Sequence, residues 1–316
     1  MLASSVFLSS NFSDLTSKFG SEVRPGTGRL QFEQVRGTTV LTRAVATSPL
    51  RVLNPKSAGR SAWVYLATYG GGLVGGDSVD VAIDVGPRAE VLIATQASTK
   101  VYRSSCGASQ RLHARAADGS LLVLLPDPVT AFAGSRYAQE QHIELDEAAS
   151  LVLVDWLTAG RMASGERWQF DGYTSRMFVR RSGALLLHDA VSLMPGDGSV
   201  AGRMSRFNCV ATVVVTGPAV CAAAARLAGE IGTAPLAREA DVLMSAAPLA
   251  RGDDGALLRV AGMSVEQVGG VLRRFLNFVP SLLGDDPWSC KWWRPASGGT
   301  YAAAGFSRTY AASGFS

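Results

Sequence analysis

Two groups of residues in this chain have types and spacing that could do chemistry. The first is a run of glycines. In GGGLVGGD, Gly70, Gly72 and Gly75 carry the G-x-G-x-x-G spacing of a dinucleotide-binding turn. That chemistry needs a helix to start at the last glycines, because the pyrophosphate rests on backbone N–H groups at a helix N-terminus. The residues that follow are SVDVAIDV, which alternate with period two. They predict a strand with Val79, Val81, Ile83 and Val85 on a buried face, so the anion site is not built. A glycine-rich hairpin with backbone at positive φ accounts for the same residues. No Gly-Lys-Ser/Thr follows, so the run is not a P-loop.

The second group is carboxylates set among apolar residues. Asp155 interrupts LVLVDWL, Asp189 interrupts ALLLHDAVSL, and Asp77 closes the glycine-rich turn. Thr95, Gln96, Ser98, Thr99 and Lys100 follow EVLIA. A carboxylate buried without a partner is costly or shifts its pKa. Each acid must therefore be paired, hydrated or exposed. One reading gives each a salt bridge or a backbone hydrogen bond, with Arg103, Arg136 and Arg161 as candidate partners. The other joins Asp77, Asp155 and Asp189 in one water-filled passage lined by oxygen ligands. A hard or borderline divalent cation can move along such oxygens without being trapped.

Other constellations are thin. The three histidines, His113, His142 and His188, have no HxH or HxxxH spacing, so no metal cage is visible. His188 and Asp189 are adjacent on a strand and point to opposite faces. No G-x-S-x-G and no HExxH occur. The four cysteines (Cys106, Cys209, Cys221, Cys290) form no CxxC pair, which fits free thiols in a reducing compartment. No catalytic and no cofactor-binding residue is assigned.

The elements that must position these residues are mostly strands. Short apolar runs broken by Gly, Pro, Asp or Asn recur over 28–217. Several alternate strictly, whereas SLVLVDWL is apolar on both faces. The expected fold is mainly β, either stacked sheets or a coil of strands around a common core, with about two α-helices in the C-terminal part. The first helix spans 219–231. The second opens at Ser264, where Gln267 completes a capping box, and Pro280 ends it. Apolar residues make up 47% of the 316, enough for a sizeable core in one domain. The domain is drawn at 28–287, with a disordered Ser-rich extension at 1–27 and a disordered tail at 288–316 that repeats TYAAAGFS as TYAASGFS. The extension lacks the positive n-region of a signal peptide; a plastid transit peptide is the alternative. Thirty basic residues against 26 acidic ones give +4, scattered without a Lys/Arg run, which argues against nucleic acid. No apolar stretch approaches membrane-spanning length.

The runs TYGGGLVGGDSV, ATQASTKVYRS, LPDPVTAFAGSRYAQEQ and VDWLTAGRMASGERWQF, with VRGTTVLTRAVATSPLRVLNP before them, resemble the UreD (UreH) family of urease accessory proteins in order over 28–287. The PDPVT wording looks like the plant and green-algal branch. The resemblance implies a mainly β fold of stacked sheets in a coiled, β-helix-like arrangement, and a non-catalytic cytoplasmic scaffold that binds UreF, through it the GTPase UreG, and then apo-urease. Nickel would be in transit through an internal tunnel, with no cofactor tightly bound. Carried over by position, Asp77, Ser98, Asp155 and Asp189 match tunnel-associated polar positions, and Glu166 in GERW is a further family-like acid. The competing reading is an enzyme or binder that uses the Gly-rich turn for a nucleotide. A saturable thermal shift with NAD or ATP would mark that reading, and co-purification with a helical partner and urease the scaffold.

Overall fold

The computed structural model describes residues 26–232, 239–249 and 255–289. Apart from residues 26, 27, 288 and 289, the terminal extension and tail lie outside the described residues.

The chain opens with two antiparallel hairpins, β1 (Thr27–Val35) with β2 (Thr38–Ala46), and β3 (Leu50–Leu53) with β4 (Ala62–Thr68). One hairpin belongs to each of two sheets. The chain then alternates between them. β5 (Ser78–Val85) joins the first sheet and β6 (Glu90–Thr95) the second, with the short β7 (Thr99–Val101) at the corner. β8 (Ala108–Ala116) returns to the first, β9 (Leu121–Leu125) to the second, and β10 (Val129–Ala131) turns the next corner. β11 (Arg136–Leu145), β12 (Ser150–Thr158) and β13 (Gly172–Arg181) continue the alternation. Strands from successive turns stack in parallel: β5–β8–β11–β13 in one sheet and β4–β6–β9–β12 in the other. This is the coil of stacked sheets that the family resemblance implied.

Antiparallel strands close the coil. β14 (Ala184–Leu193) pairs with β13 in the first sheet. The one-turn helix α1 (Val200–Met204) leads to β15 (Cys209–Thr216), which pairs with β12. Helix α2 (Cys221–Gly232) then precedes β16 (Val242–Pro248) and β17 (Gly255–Gly262), which extend the second sheet beyond β15. Helices α3 (Val265–Phe275) and α4 (Val279–Leu283) finish the described chain.

Burial explains the residue choices. Val79, Val81, Ile83 and Val85 of β5 face the space between the sheets and are almost wholly buried. β12 is covered on both sides. Leu151 and Leu153 face the first sheet, while Val152, Val154 and Trp156 face a second core built with α2, α3 and α4. A near-continuous apolar run is what a doubly covered parallel strand requires.

The glycines are not a hairpin, as the sequence suggested, but a crossing loop that carries the chain from β4 in one sheet to β5 in the other. Gly70, Gly71 and Gly76 have φ of 79°, 72° and 86°. Gly72 passes so close to β7 that a Cβ there would meet the Lys100 carbonyl oxygen at 2.6 Å. The predicted strand follows at Ser78–Val85, so no helix N-terminus faces the glycines.

The Ser264 capping box is present, with Gln267 N–H donating to Ser264 Oγ at 3.2 Å and Ser264 N–H to Gln267 Oε1 at 3.1 Å. The helix it opens ends at Phe275, earlier than Pro280 suggested. Pro280 sits instead in the first turn of α4, where its missing N–H deprives no helical bond. Cys209 is buried, Cys221 half-buried and Cys106 exposed.

The outer face of the first sheet carries all three histidines. His113, His142, Phe178 and His188 lie on consecutive strands β8, β11, β13 and β14. Their rings stack with centroids 4.9, 4.8 and 4.4 Å apart. Asp189, next to His188, points the other way, into the molecule.

Candidate functional site

The interior holds a row of polar side chains where the pattern calls for apolar ones. On the first sheet Gln110, Gln139 and Ser175 are cross-strand neighbours on β8, β11 and β13. On the second, Asp155, Thr212, Arg259 and Ser245 form a matching row across β12, β15, β17 and β16. The two rows meet between the sheets. Gln139 Nε2 donates to Asp155 Oδ1 at 2.7 Å and Ser175 Oγ donates to Asp155 Oδ2 at 2.8 Å. Tyr137 O–H lies 3.2 Å from Gln110 Oε1 and 3.4 Å from Gln139 Oε1. Arg259 reaches across the gap to Asp189 Oδ1 of β14 at 2.5 Å.

Two cavities open on this row. The smaller, about 60 Å³, is bordered by Thr95, Thr99, Gln110, Asp127, Gln139 and Asp155. It has room for water. The larger, about 440 Å³, is bordered by Asp155, Ser175, Asp189, Thr212, Ser245 and Arg259, with apolar walls from Tyr173, Met204 and Leu243. Asp155 and its neighbour Trp156 border both. Asp155 is enclosed by protein, yet it keeps some accessible surface because cavity space touches it.

Asp155 has neutral partners and no cation of its own in this network. Burial holds its carboxyl above the ordinary carboxylate range. The hydrogen bonds from Ser175 and Gln139 oppose that rise, and the charge of Asp189 adds to it. Burial, and then the Asp155 charge, also push the Tyr137 and Tyr173 hydroxyls upward, so both stay protonated.

A testable consequence concerns stability against pH. A carboxyl whose folded pKa is raised favours folding while protonated, and that contribution is lost as pH climbs from the ordinary carboxylate value through the folded one. Asp155→Asn keeps an acceptor for Ser175 or Gln139 and does not titrate. Its melting temperature relative to wild type should therefore increase between acid and neutral pH. A difference that stays flat or shrinks with pH would refute the burial of an ionisable carboxylate here.

The structure brings together two of the three acids singled out from the sequence. Asp155 and Asp189 share the larger cavity. Asp77 does not join them: its Oδ2 accepts the Val74 N–H at 2.8 Å and closes its own turn. Such local capping is the usual work of Asp in a turn. Ser98 is half-buried in the bend between β6 and β7, outside both cavities, whose walls take its neighbours Thr95 and Thr99 instead. Glu166 lies in the loop after β12, pairs with Arg161 and accepts the Ala133 N–H at 3.1 Å. The Arg161 hydrogen bond holds its carboxyl below the usual range. Of the candidate arginines, Arg161 thus partners Glu166, and Arg136 partners the exposed Asp171 at 3.8 Å. Neither pairs with the interior acids.

Sequence reasoning missed Gln139, Ser175, Asp127 and Arg259. One signal was readable: in YAQEQHIEL the inward positions of β11 include Gln139 and Gln141 beside Ile143 and Leu145. A polar residue at an inward position is a break in period. Among the described residues, no three His, Cys, Asp or Glu side chains converge to hold a metal ion, and no helix is long and apolar enough to cross a membrane.

The class that the motifs resembled is established by comparison with known proteins. A family model described as UreD urease accessory protein matches residues 24–294, and the chain belongs to that family. It is 50% identical over 269 residues to the urease accessory protein UreD of Sorangium cellulosum, covering 85% of each chain. It is 34% identical over 291 residues to the urease accessory protein D of Oryza sativa subsp. indica, covering 83% of this chain and 95% of the rice protein. The urease accessory protein D of Arabidopsis thaliana is 38% identical over 200 residues, 60% of this chain and 68% of its own.

Proposed function

We propose that this chain is a non-enzymatic scaffold in urease maturation, and that nickel passes through its interior on the way from the GTPase UreG to apo-urease. UreF would join it to UreG, and the work would take place in the cytoplasm. One observation carries the nickel part: Asp155 stands in the walls of both cavities and is held by neutral donors, with no arginine or lysine in its hydrogen-bond network. A carboxyl with no cationic partner is open to a passing divalent ion, which would displace its proton where burial holds one.

The donor set suits transit. Along the row stand carboxylates, carboxamide oxygens and hydroxyls, which hold a divalent ion through few and replaceable contacts. Thiolate or imidazole clusters would hold nickel far more tightly. Cys209 faces the helix-side core and the histidines face outward, so neither borders the two cavities. Asp155 and Asp189 would act as successive oxygen ligands. Gln139 and Ser175 orient Asp155, and the protonated Tyr137 steadies the carboxamides. Asp77, Ser98 and Glu166 stand outside these two cavities, and Asp77 closes its own turn.

The test is reconstitution in cells. Apo-urease is co-expressed with UreF and UreG, with or without this chain, and nickel per urease is measured by atomic absorption alongside pull-down of the complex. The expected result is nickel-loaded urease only with the chain present, and recovery of the chain with UreF and urease. Equal nickel content with and without the chain overturns the reading.

A further inference from the structure

We propose that Arg259 is a displaceable counter-ion that gates the larger cavity: it occupies Asp189 at rest and gives the carboxylate up to an incoming divalent cation. The inference rests on the nickel-passage reading and specifies how the mouth of that passage is controlled.

The geometry is asymmetric. In the Arg259–Asp189 pair the arginine side chain is 57% exposed and the aspartate 11%. The carboxylate is thus fixed in the cavity wall, while the guanidinium comes to it from the solvent side on a long stem. Arg259 carries the positive charge of the cavity lining, against Asp155 and Asp189. Asp189 is the hydrogen-bond partner through which it is held. A long side chain anchored at one point swings out without disturbing a packed core, because its Cα stays in the β17 ladder.

Charge decides what can displace it. With Arg259 in place, Asp189 is neutralised and only the Asp155 charge remains for a cation. A monovalent ion offers the same charge as the guanidinium and lacks its directed hydrogen bonds, so it does not compete. A divalent ion offers twice the charge and can be bound by Asp155 and Asp189 together, which leaves the site neutral with Arg259 in solvent. When the ion leaves, the guanidinium reoccupies Asp189, and that return opposes rebinding. The same residue therefore filters the cations that enter and helps to release the one in transit.

The test uses the full chain and Ni2+ alone, followed by equilibrium dialysis and calorimetry. The variants are Arg259→Gln, Arg259→Lys, Asp189→Asn and the Arg259→Gln/Asp189→Asn double, each first shown to be folded by its melting curve. Arg259→Gln should bind Ni2+ about tenfold more tightly than wild type, the scale of removing one competing charge near a partly exposed carboxylate. The gain should vanish in the double variant, and Arg259→Lys should remain near wild type. In the co-expression assay, Arg259→Gln should retain nickel on the chain and deliver less to urease. If Arg259→Gln binds Ni2+ as wild type does while Asp189→Asn binds it more weakly, the passage survives and the gate is overturned. If neither wild type nor any variant binds Ni2+, and Asp155→Asn loads urease normally, the passage itself fails and takes the gate with it.

Discussion

Replacing Asp155 by asparagine should lower the nickel delivered to apo-urease by about tenfold to a hundredfold while the chain still folds and still binds its partners. The scale comes from the charge that is lost: a carboxylate about 4 Å from a cation contributes roughly 4 kcal/mol per unit charge at an effective dielectric of 20, before water and proton competition reduce it. Competition by protons is substantial here, because burial already raises the Asp155 pKa. Nickel would have to displace a proton, so delivery by the wild type should also rise with pH. Asparagine preserves the shape and an acceptor for Gln139 or Ser175, which separates loss of charge from loss of structure. Asp189→Asn should have a smaller effect, since Arg259 already neutralises that carboxylate at rest. Asp77→Ala removes the acceptor that caps its turn, so its effect should fall on stability and not on nickel. The measurement is nickel per urease beside a pull-down of the intact complex. Full loading by the Asp155→Asn, Asp189→Asn double variant would end the passage reading and leave a docking scaffold.

The second large effect is on folding. Arg181, at the end of β13, is buried and donates to the carbonyl oxygens of Asp146, Glu147 and Ala149 and to Thr216 Oγ1. Those carbonyls belong to the turn that carries the chain from β11 in the first sheet to β12 in the second. The turn's tip, at Glu147 and Ala148, is exposed, but its inner side rests on the buried Arg181, whose guanidinium fork supplies donors to carbonyls that no ladder reaches. Arg181→Met keeps most of the stem and removes the donor from the carbonyls of Glu147 and Ala149, while the Asp146 carbonyl still accepts the Ala149 N–H. At about 1–3 kcal/mol for each buried acceptor left unmade, the loss should be roughly 3 kcal/mol or more. That corresponds to a fall in melting temperature of about 6–12 °C for a domain of this size. Arg181→Lys should recover only part of it, because one ammonium cannot span the fork. A melting curve for Arg181→Met within 2 °C of wild type, taken as roughly half a kcal/mol, would show that water replaces the guanidinium.

Local pattern made some of this legible and left the rest out of reach. Period two placed β5 and denied the glycines their helix, and the Ser264–Gln267 pair marked the start of α3. Asp155 and Asp189 stood out because an acid in an apolar strand needs a reason. Their partners did not stand out. Ser175 lies 20 residues from Asp155 and Arg259 lies 70 from Asp189, and only the register of the coil brings them together. Arg136 and Arg161, plausible partners by charge, pair instead with Asp171 and Glu166. Asp77 misled in the opposite way: its hydrogen bond is local, to a residue three positions back, and a turn cap has the same composition as a site residue. Pro280 was read as a stop because proline breaks a helix interior, but proline also opens helices, and a one-turn break at 276–278 decides between the two.

The alternation of strands between sheets has an architectural consequence. Gln110, Gln139 and Ser175 come from three successive turns of the coil, so the polar row runs along the stacking axis, perpendicular to the strands. With strands about 4.8 Å apart, each added turn would lengthen that row by one side chain and about 4.8 Å. Insertion of a whole turn would leave the existing pairings intact and add one inward position, free to be polar or apolar. The interior path is thus modular: its length is set by how many turns are wound, and its ends by the antiparallel strands that stop the winding.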